Sequence, residues 1–289
     1  RSFRFIVRDR PGGAVVPAPR FLRDGLVPAW QPVIMAPEAK GTPMQSDNPT
    51  AAILLIGDEI LSGRTRDLNA HHLAGVLNAI GIDLREIRVV ADDHAAIVAA
   101  LRALDRHLGG AWDMVFSSGG IGPTHDDITA DAVAEAYGVA LELNPDARRV
   151  MEEHWGARGV EITESRLRMA RIPRGATLIR NAVSAAPGFS IGGLHVMAGV
   201  PSVFRSMVEA IVPQLATGRP VQSASIEVLR PESEVAEDLR AVADAHPSLS
   251  LGSYPFRDER GYGTNVVVRG LDAGEVERAR AALVERFGA

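Results

Sequence analysis

The chain has 289 residues, 46% of them hydrophobic and 23% charged, enough to bury a sizeable core in one large domain or two smaller ones. It holds no cysteine, which removes disulfides, thiolate nucleophiles, iron–sulfur clusters and Cys-ligated zinc. Lys40 is its single lysine and the net charge is −5, so Schiff-base chemistry, the GK[ST] phosphate loop and a broad nucleic-acid surface are all disfavoured.

The chain starts at Arg1 rather than Met, and residues 1–48 carry seven of the 18 prolines without helical or strand period. This stretch reads as a flexible extension or a mis-called start, with Met35 or Met44 beginning the protein proper. An Arg-rich start also fits a transit peptide. No apolar run approaches a membrane span, and the cysteine-free body is expected in the cytoplasm.

From residue 51 the pattern becomes regular. Ala51–Gly57 is a short apolar run of the kind expected for a buried parallel strand. A polar loop follows, then Leu73, Val76, Leu77 and Ile80 recur at helical spacing before Gly81. Ile82–Val90 reads as a second strand. Asp92 or Asp93 can cap a helix that carries Ile97, Leu101, Leu104 and Leu108 and closes at Gly109–Gly110. Asp113–Ser117 is a third strand, and 128–137 a helix. Residues 145–171 look helical and polar. Strands are expected at 176–180, 188–191 and 194–198, and an amphipathic helix at 201–215. Thr217–Pro220 reads as a linker. Beyond it the order is strand 224–229, helix 232–246, strands 249–254 and 264–269, and helix 273–287.

Strand–helix alternation with short connections predicts an α/β fold: a three-layer domain at 49–218 with a parallel or mixed sheet, then a small α+β (βαββα) module at 219–289. Ligands of such sheets bind beyond the carboxyl ends of the strands. Two unusual loops fall there. Ser118–Thr129 (SGGIGPTHDDIT) offers glycine backbone that a ligand can approach, a stiffening Pro123, and Thr124, Asp126 and Asp127 at the mouth of a helix. Backbone amides favour anions and paired carboxylates repel them, a conflict that a hard divalent cation resolves. The same composition also describes a tight Gly-Pro turn in which Asp126, Asp127 or Thr129 caps the helix. The loop at 57–69 adds Asp58 and Glu59, while Asp67 and Asn69 suit a helix start. Four carboxylates gathered at one edge repel each other without a cation. His125 could hydrogen-bond a phosphate, but a histidine in such a loop is more often just a solvated residue. Adjacent His71 and His72 cannot form an i, i+4 metal pair.

IGDEILSG (56–63), Asn69 and SGGIGPTHDDIT (118–129) resemble the MoaB/Mog domain of molybdenum-cofactor biosynthesis. They resemble more closely its CinA branch (competence/damage-inducible protein A) and the first domain of eukaryotic FAD synthase. MARIPRGATLIRN (169–181), AAPGF (185–189), AGVPS (198–202) and LGSYP (251–255) extend the likeness over residues 50–289. The resemblance implies a phosphorylated nucleotide or pterin as ligand, with metal-dependent hydrolysis of a pyrophosphate of the ADP-ribose or FAD type in some relatives. A non-catalytic molybdopterin- or nucleotide-binding protein is the alternative.

On this resemblance Asp127, with Asp126, takes the catalytic role. Asp127, Asp126, Asp58 and Glu59 would hold Mg, Mn or Co. Gly57, Asn69, Gly119, Gly120, Gly122, Pro123, Thr124, Thr129, Asn181, Gly199 and Pro201 would seat the ligand. The small module resembles a KH-like domain, yet it lacks a GXXG loop and basic charge, so no nucleic-acid partner is expected. No membrane partner is expected either, and relatives imply a homo-oligomer. Met197-Ala198 and Ser184-Ala185 depart from the family pattern in a third candidate loop, 181–188 with 199–202, where ligand choice would be set.

Overall fold

The computed structural model describes residues 47–288, which lie within one compact unit. The reading of residues 1–48 as an extension falls outside the described residues except at its end. There Asn48 is buried, donating through Nδ2 to the Arg219 carbonyl at 2.9 Å and accepting from the Arg219 amide at 2.8 Å.

The large sheet contains β1 (Thr50–Ile56), β2 (Asp83–Val90), β3 (Met114–Ser118), β6 (Thr177–Ile179), β7 (Gly188–Ile191) and β8 (Leu194–Met197), in the order β2-β1-β3-β8-β7-β6. The pairs β1–β2, β1–β3 and β3–β8 are parallel, and β7 runs antiparallel to both neighbours. The alternation in β1 explains its uninterrupted apolar run. Ala52, Leu54 and Ile56 enter one core, and Ala51, Ile53 and Leu55 enter the other.

The first face is covered by α3 (His94–Leu104), α4 (Thr129–Tyr137) and α5 (Pro145–Gly156), through Ile97, Leu101, Val133 and Met151 among others. The second is covered by α2 (Asn69–Ala79) and α7 (Pro201–Ile211), through Leu73, Leu77, Phe204, Met207 and Val208. Burying each such side chain contributes about 1.5–3 kcal/mol. The result is the expected three-layer architecture. Because the chain leaves β1 for β2 on one side and returns to β3 on the other, the strand order reverses between β1 and β3.

Some boundaries move. The loop after β1 contains one helical turn, α1 (Asp58–Leu61). The long helix expected at 145–171 is interrupted: α5 ends at Gly156, Gly159 turns the chain with φ 65°, and Thr163 caps a short α6 (Glu164–Leu167) by accepting from the Arg166 amide. Two strands not anticipated, β4 (Leu141–Leu143) and β5 (Arg171–Pro173), form a separate antiparallel ribbon. They are too short to show a period.

The last segment runs β9 (Gln222–Val228), α8 (Glu232–Ala245), β10 (Ser250–Asp258), β11 (Gly261–Gly270) and α9 (Ala273–Phe287). Its antiparallel sheet has the order β10-β11-β9 and a core of its own, built on Val235, Val266, Val268 and Leu283. The strands β10 and β11 extend past their expected ends to form a hairpin. No helix among the described residues is long and apolar enough to cross a membrane.

Candidate ligand site

A cavity of about 410 Å³ opens at the carboxyl ends of the four parallel strands. It is walled by Ile56 and Glu59 after β1, Asp92 after β2, Gly119–Pro123 with Asp126 and Asp127 after β3, and Ala198–Val200 after β8. Met169, Asn181, Ser184 and Ala186 close a further side, and Val203 and Met207 of α7 complete it.

The glycine loop is held by its surroundings. Gly119 has φ 114°, and a Cβ there would collide with the Ile56 carbonyl, so only glycine lets β1 and β3 converge at the switch point. Thr129, fully buried, donates through Oγ1 to the Gly119 carbonyl (3.1 Å) and through its amide to the Gly120 carbonyl (3.0 Å). Asn69 donates to Ser118 Oγ (2.9 Å) and to the Gly199 carbonyl (2.7 Å), tying two loop ends together. Asn181 organises the third loop by donating to Ser184 Oγ (2.7 Å) and the Ala186 carbonyl (3.0 Å), and by accepting from the Val183 amide. Ala185 there holds φ 63°, a left-handed conformation.

Among the described residues the amides of Gly120, Ile121 and Gly122 donate to no acceptor. The helices α4 and α7 both begin at the cavity, which adds two positive dipole ends. Against these stand four carboxylates, Glu59, Asp92, Asp126 and Asp127, with no arginine or lysine in the lining. Asp127 Oδ2 accepts from the Thr124 amide (2.8 Å) and hydroxyl (2.5 Å). The same hydroxyl lies 2.5 Å from Asp126 Oδ1 and helps hold that exposed carboxyl below the usual carboxylate range. Burial pushes Asp92 above the usual range. The Asp58 amide, donating to Asp92 Oδ2 at 2.9 Å, opposes this, and the charges of Glu59, Asp58 and Asp126 reinforce it.

Of the residues expected from sequence, Glu59, Gly119, Gly120, Gly122, Pro123, Asp126, Asp127, Asn181 and Gly199 line the cavity. Gly57, Asp58, Asn69, Thr124, Thr129 and Pro201 stand outside its lining. Thr129 and Asn69 position the loops, and Thr124 anchors Asp127. Asp92 was missed as a site residue. Its signal is that Asp93 accepts from the Ala96 amide (2.8 Å) and so caps α3, which leaves its neighbour at the end of β2 without that duty. The apolar wall of Met169, Val203 and Met207 was missed too, because at sequence level it is indistinguishable from core.

All four lining carboxylates are hard oxygen donors, the chemistry that Mg²⁺ and similar cations take. Among the described residues no three His, Asp or Glu side chains form a ready-made cage.

Residues 52–217 match the family described as a probable molybdopterin binding domain, and residues 220–289 match the middle domain of FAD synthase. A protein of Pyrobaculum arsenaticum is 38% identical over 217 residues, 71% of this chain and 79% of that protein. One from Metallosphaera sedula is 38% identical over 175 residues, 59% of this chain, and the chain spans only 65% of that relative's length. Among solved structures, the protein CinA of Thermoplasma acidophilum, described as of unknown function, aligns with a TM-score of 0.52. The identity is 33%, over 58% of this chain and 99% of that one.

Proposed function

Since the chain belongs to the MoaB/Mog family of probable molybdopterin binding domains, in its CinA-like branch, we propose that its cavity binds a phosphorylated nucleotide or pterin and hydrolyses a pyrophosphate bond with a divalent metal. The observation that carries this reading is the meeting of the unengaged Gly120–Gly122 amides with four carboxylates in one cavity that no arginine or lysine lines. Amides attract phosphate and carboxylates repel it, and a cation between them satisfies both.

Asp127 and Asp92, with Asp126 and Glu59, are the residues to hold Mg²⁺, Mn²⁺ or Co²⁺. When bound, the cation supplies Lewis-acid stabilisation of the phosphoryl group. The amides of Gly120–Gly122 seat the phosphate oxygens and are aimed before the reaction begins. Thr124 fixes the Asp127 carboxylate, and the Met169–Val203–Met207 wall takes the flat ring of the nucleotide or pterin. A cytoplasmic location and a homo-oligomeric state belong to the same reading, the latter measurable by light scattering.

The test incubates the full chain with ADP-ribose or FAD and each metal and follows AMP release. Wild type is expected to turn over only with metal. Asp127→Asn should lower the rate by about 100-fold or more. Unchanged turnover in that variant would sink the assignment. Ligand binding without product would favour a carrier or sensor instead.

A further inference from the structure

Behind the glycine loop lies a second, narrow recess that shares Gly120, Gly122, Asp127 and Met169 with the main cavity and adds two arginines, Arg168 and Arg171. The two differ in state. The Arg171 guanidinium pairs with Asp131 at 2.6 Å. Arg168 has Nε sealed from solvent, and among the described residues its side chain makes no hydrogen bond or ion pair. Arg168 is only partly buried, so its terminal nitrogens keep water, while Nε is left without an acceptor; a ligand oxygen at the terminal nitrogens would meet a guanidinium that no protein group already engages. Both nearby carboxylates are otherwise occupied, Asp131 by Arg171 and Asp127 Oδ2 by Thr124. The recess is far narrower than the main cavity, about 20 Å³ against about 410 Å³, so it admits part of a phosphoryl group rather than the ring of a nucleotide or pterin.

We propose that Arg168 is an anion-recognising residue, receiving one phosphoryl oxygen of a ligand whose remaining phosphate oxygens face the amides of Gly120–Gly122. The proposal rests on the phosphate-ligand reading above and adds to it the only side-chain cation without a partner in either recess. A planar guanidinium fits a confined oxygen with fixed N–H vectors, whereas the metal side of the cavity is carboxylate.

The test measures the thermal midpoint of the full chain against inorganic pyrophosphate and against ADP-ribose, with Mg²⁺ and ionic strength held constant. Wild type should be stabilised by both ligands. Arg168→Gln should require about 10- to 100-fold more pyrophosphate for the same shift, and Arg168→Lys should fall between, keeping charge but not the fork. Without ligand, Arg168→Gln should melt close to the wild-type temperature, because the Arg168 side chain has no protein partner to lose. A variant that melts lower and keeps the full pyrophosphate shift shows a structural role and overturns the proposal. The outcome is separable from that for hydrolysis: an Arg168-dependent shift with no AMP release removes the enzyme and keeps the subsite.

Discussion

At the scale of single residues, Asp92 carries the conflict built into the site. Its carboxyl sits above the ordinary value of 3.8, chiefly through burial and then through neighbouring negative charge. A group bound more tightly to its proton in the folded state stabilises the fold fully below the ordinary value, and that stabilisation is lost as pH rises through the raised one. At neutral pH the ionised Asp92 is therefore a cost, which the cation proposed above would offset. Asp92→Asn should melt higher than wild type at about pH 7 without metal, with a flatter pH dependence in the acid range. It should lose the added stabilisation from Mg²⁺ with ADP-ribose. Melting curves with and without metal read both effects, and a variant with the full metal response would place Asp92 outside the cation's reach.

At the scale of elements, the glycine loop works because three unrelated segments grip it. Strand β1 approaches Gly119, Thr129 at the head of α4 holds the Gly119 and Gly120 carbonyls, and Asn69 at the head of α2 ties Ser118 to Gly199. The ties take the Gly119 and Gly120 carbonyls, and the Gly119 amide goes to Met197, which leaves the amides of Gly120–Gly122 without an acceptor. Gly119→Ala adds a Cβ against the Ile56 carbonyl in a left-handed backbone, where the conformation alone costs roughly 1–2 kcal/mol. The expected loss is more than about 2 kcal/mol in urea unfolding, with ligand stabilisation abolished. A midpoint equal to wild type would mean that the loop is not clamped by β1.

At the scale of the molecule, a pH-dependent contribution to stability lies within the sheet, away from the cavity lining. His195 lies in the middle of the large sheet, its ring centroid 4.9 Å from that of Phe116 and its Nδ1 2.8 Å from Ser190 Oγ. Burial lowers its pKa from 6.5 to about 4, with the charge of Asp105 opposing the shift. A depressed histidine contributes stability above its unfolded value, and that contribution is lost as pH falls from 6.5 towards about 4. The shift corresponds to something on the order of 3 kcal/mol. His195→Gln, which keeps a hydrogen-bonding partner for Ser190, should shrink the stability change across that window. Chemical denaturation at several pH values checks it, and an unaltered pH slope would assign the acid sensitivity to other groups.

Much of the molecule was legible in one dimension. The apolar run of β1, the helical spacing of Leu73 and Leu77, and the amphipathic face of α7 follow from side-chain period and burial, which are local properties. So were the glycine loop and its acidic neighbours, because residue types that tolerate close backbone approach and carry charge are visible without coordinates. Three-dimensional packing settled the rest. It selected Asp93 as the cap and released Asp92 to the cavity. It assigned Asn69 and Thr129 to holding loops rather than lining the cavity, and it brought Met169, Val203 and Met207 from distant segments into one wall. Periodicity reports which face of an element is buried, but not which distant segment buries it or which of two equivalent carboxylates finds an amide first. Those outcomes depend on contacts between residues far apart in the chain, and such contacts exist only once the sheet has closed around its switch point.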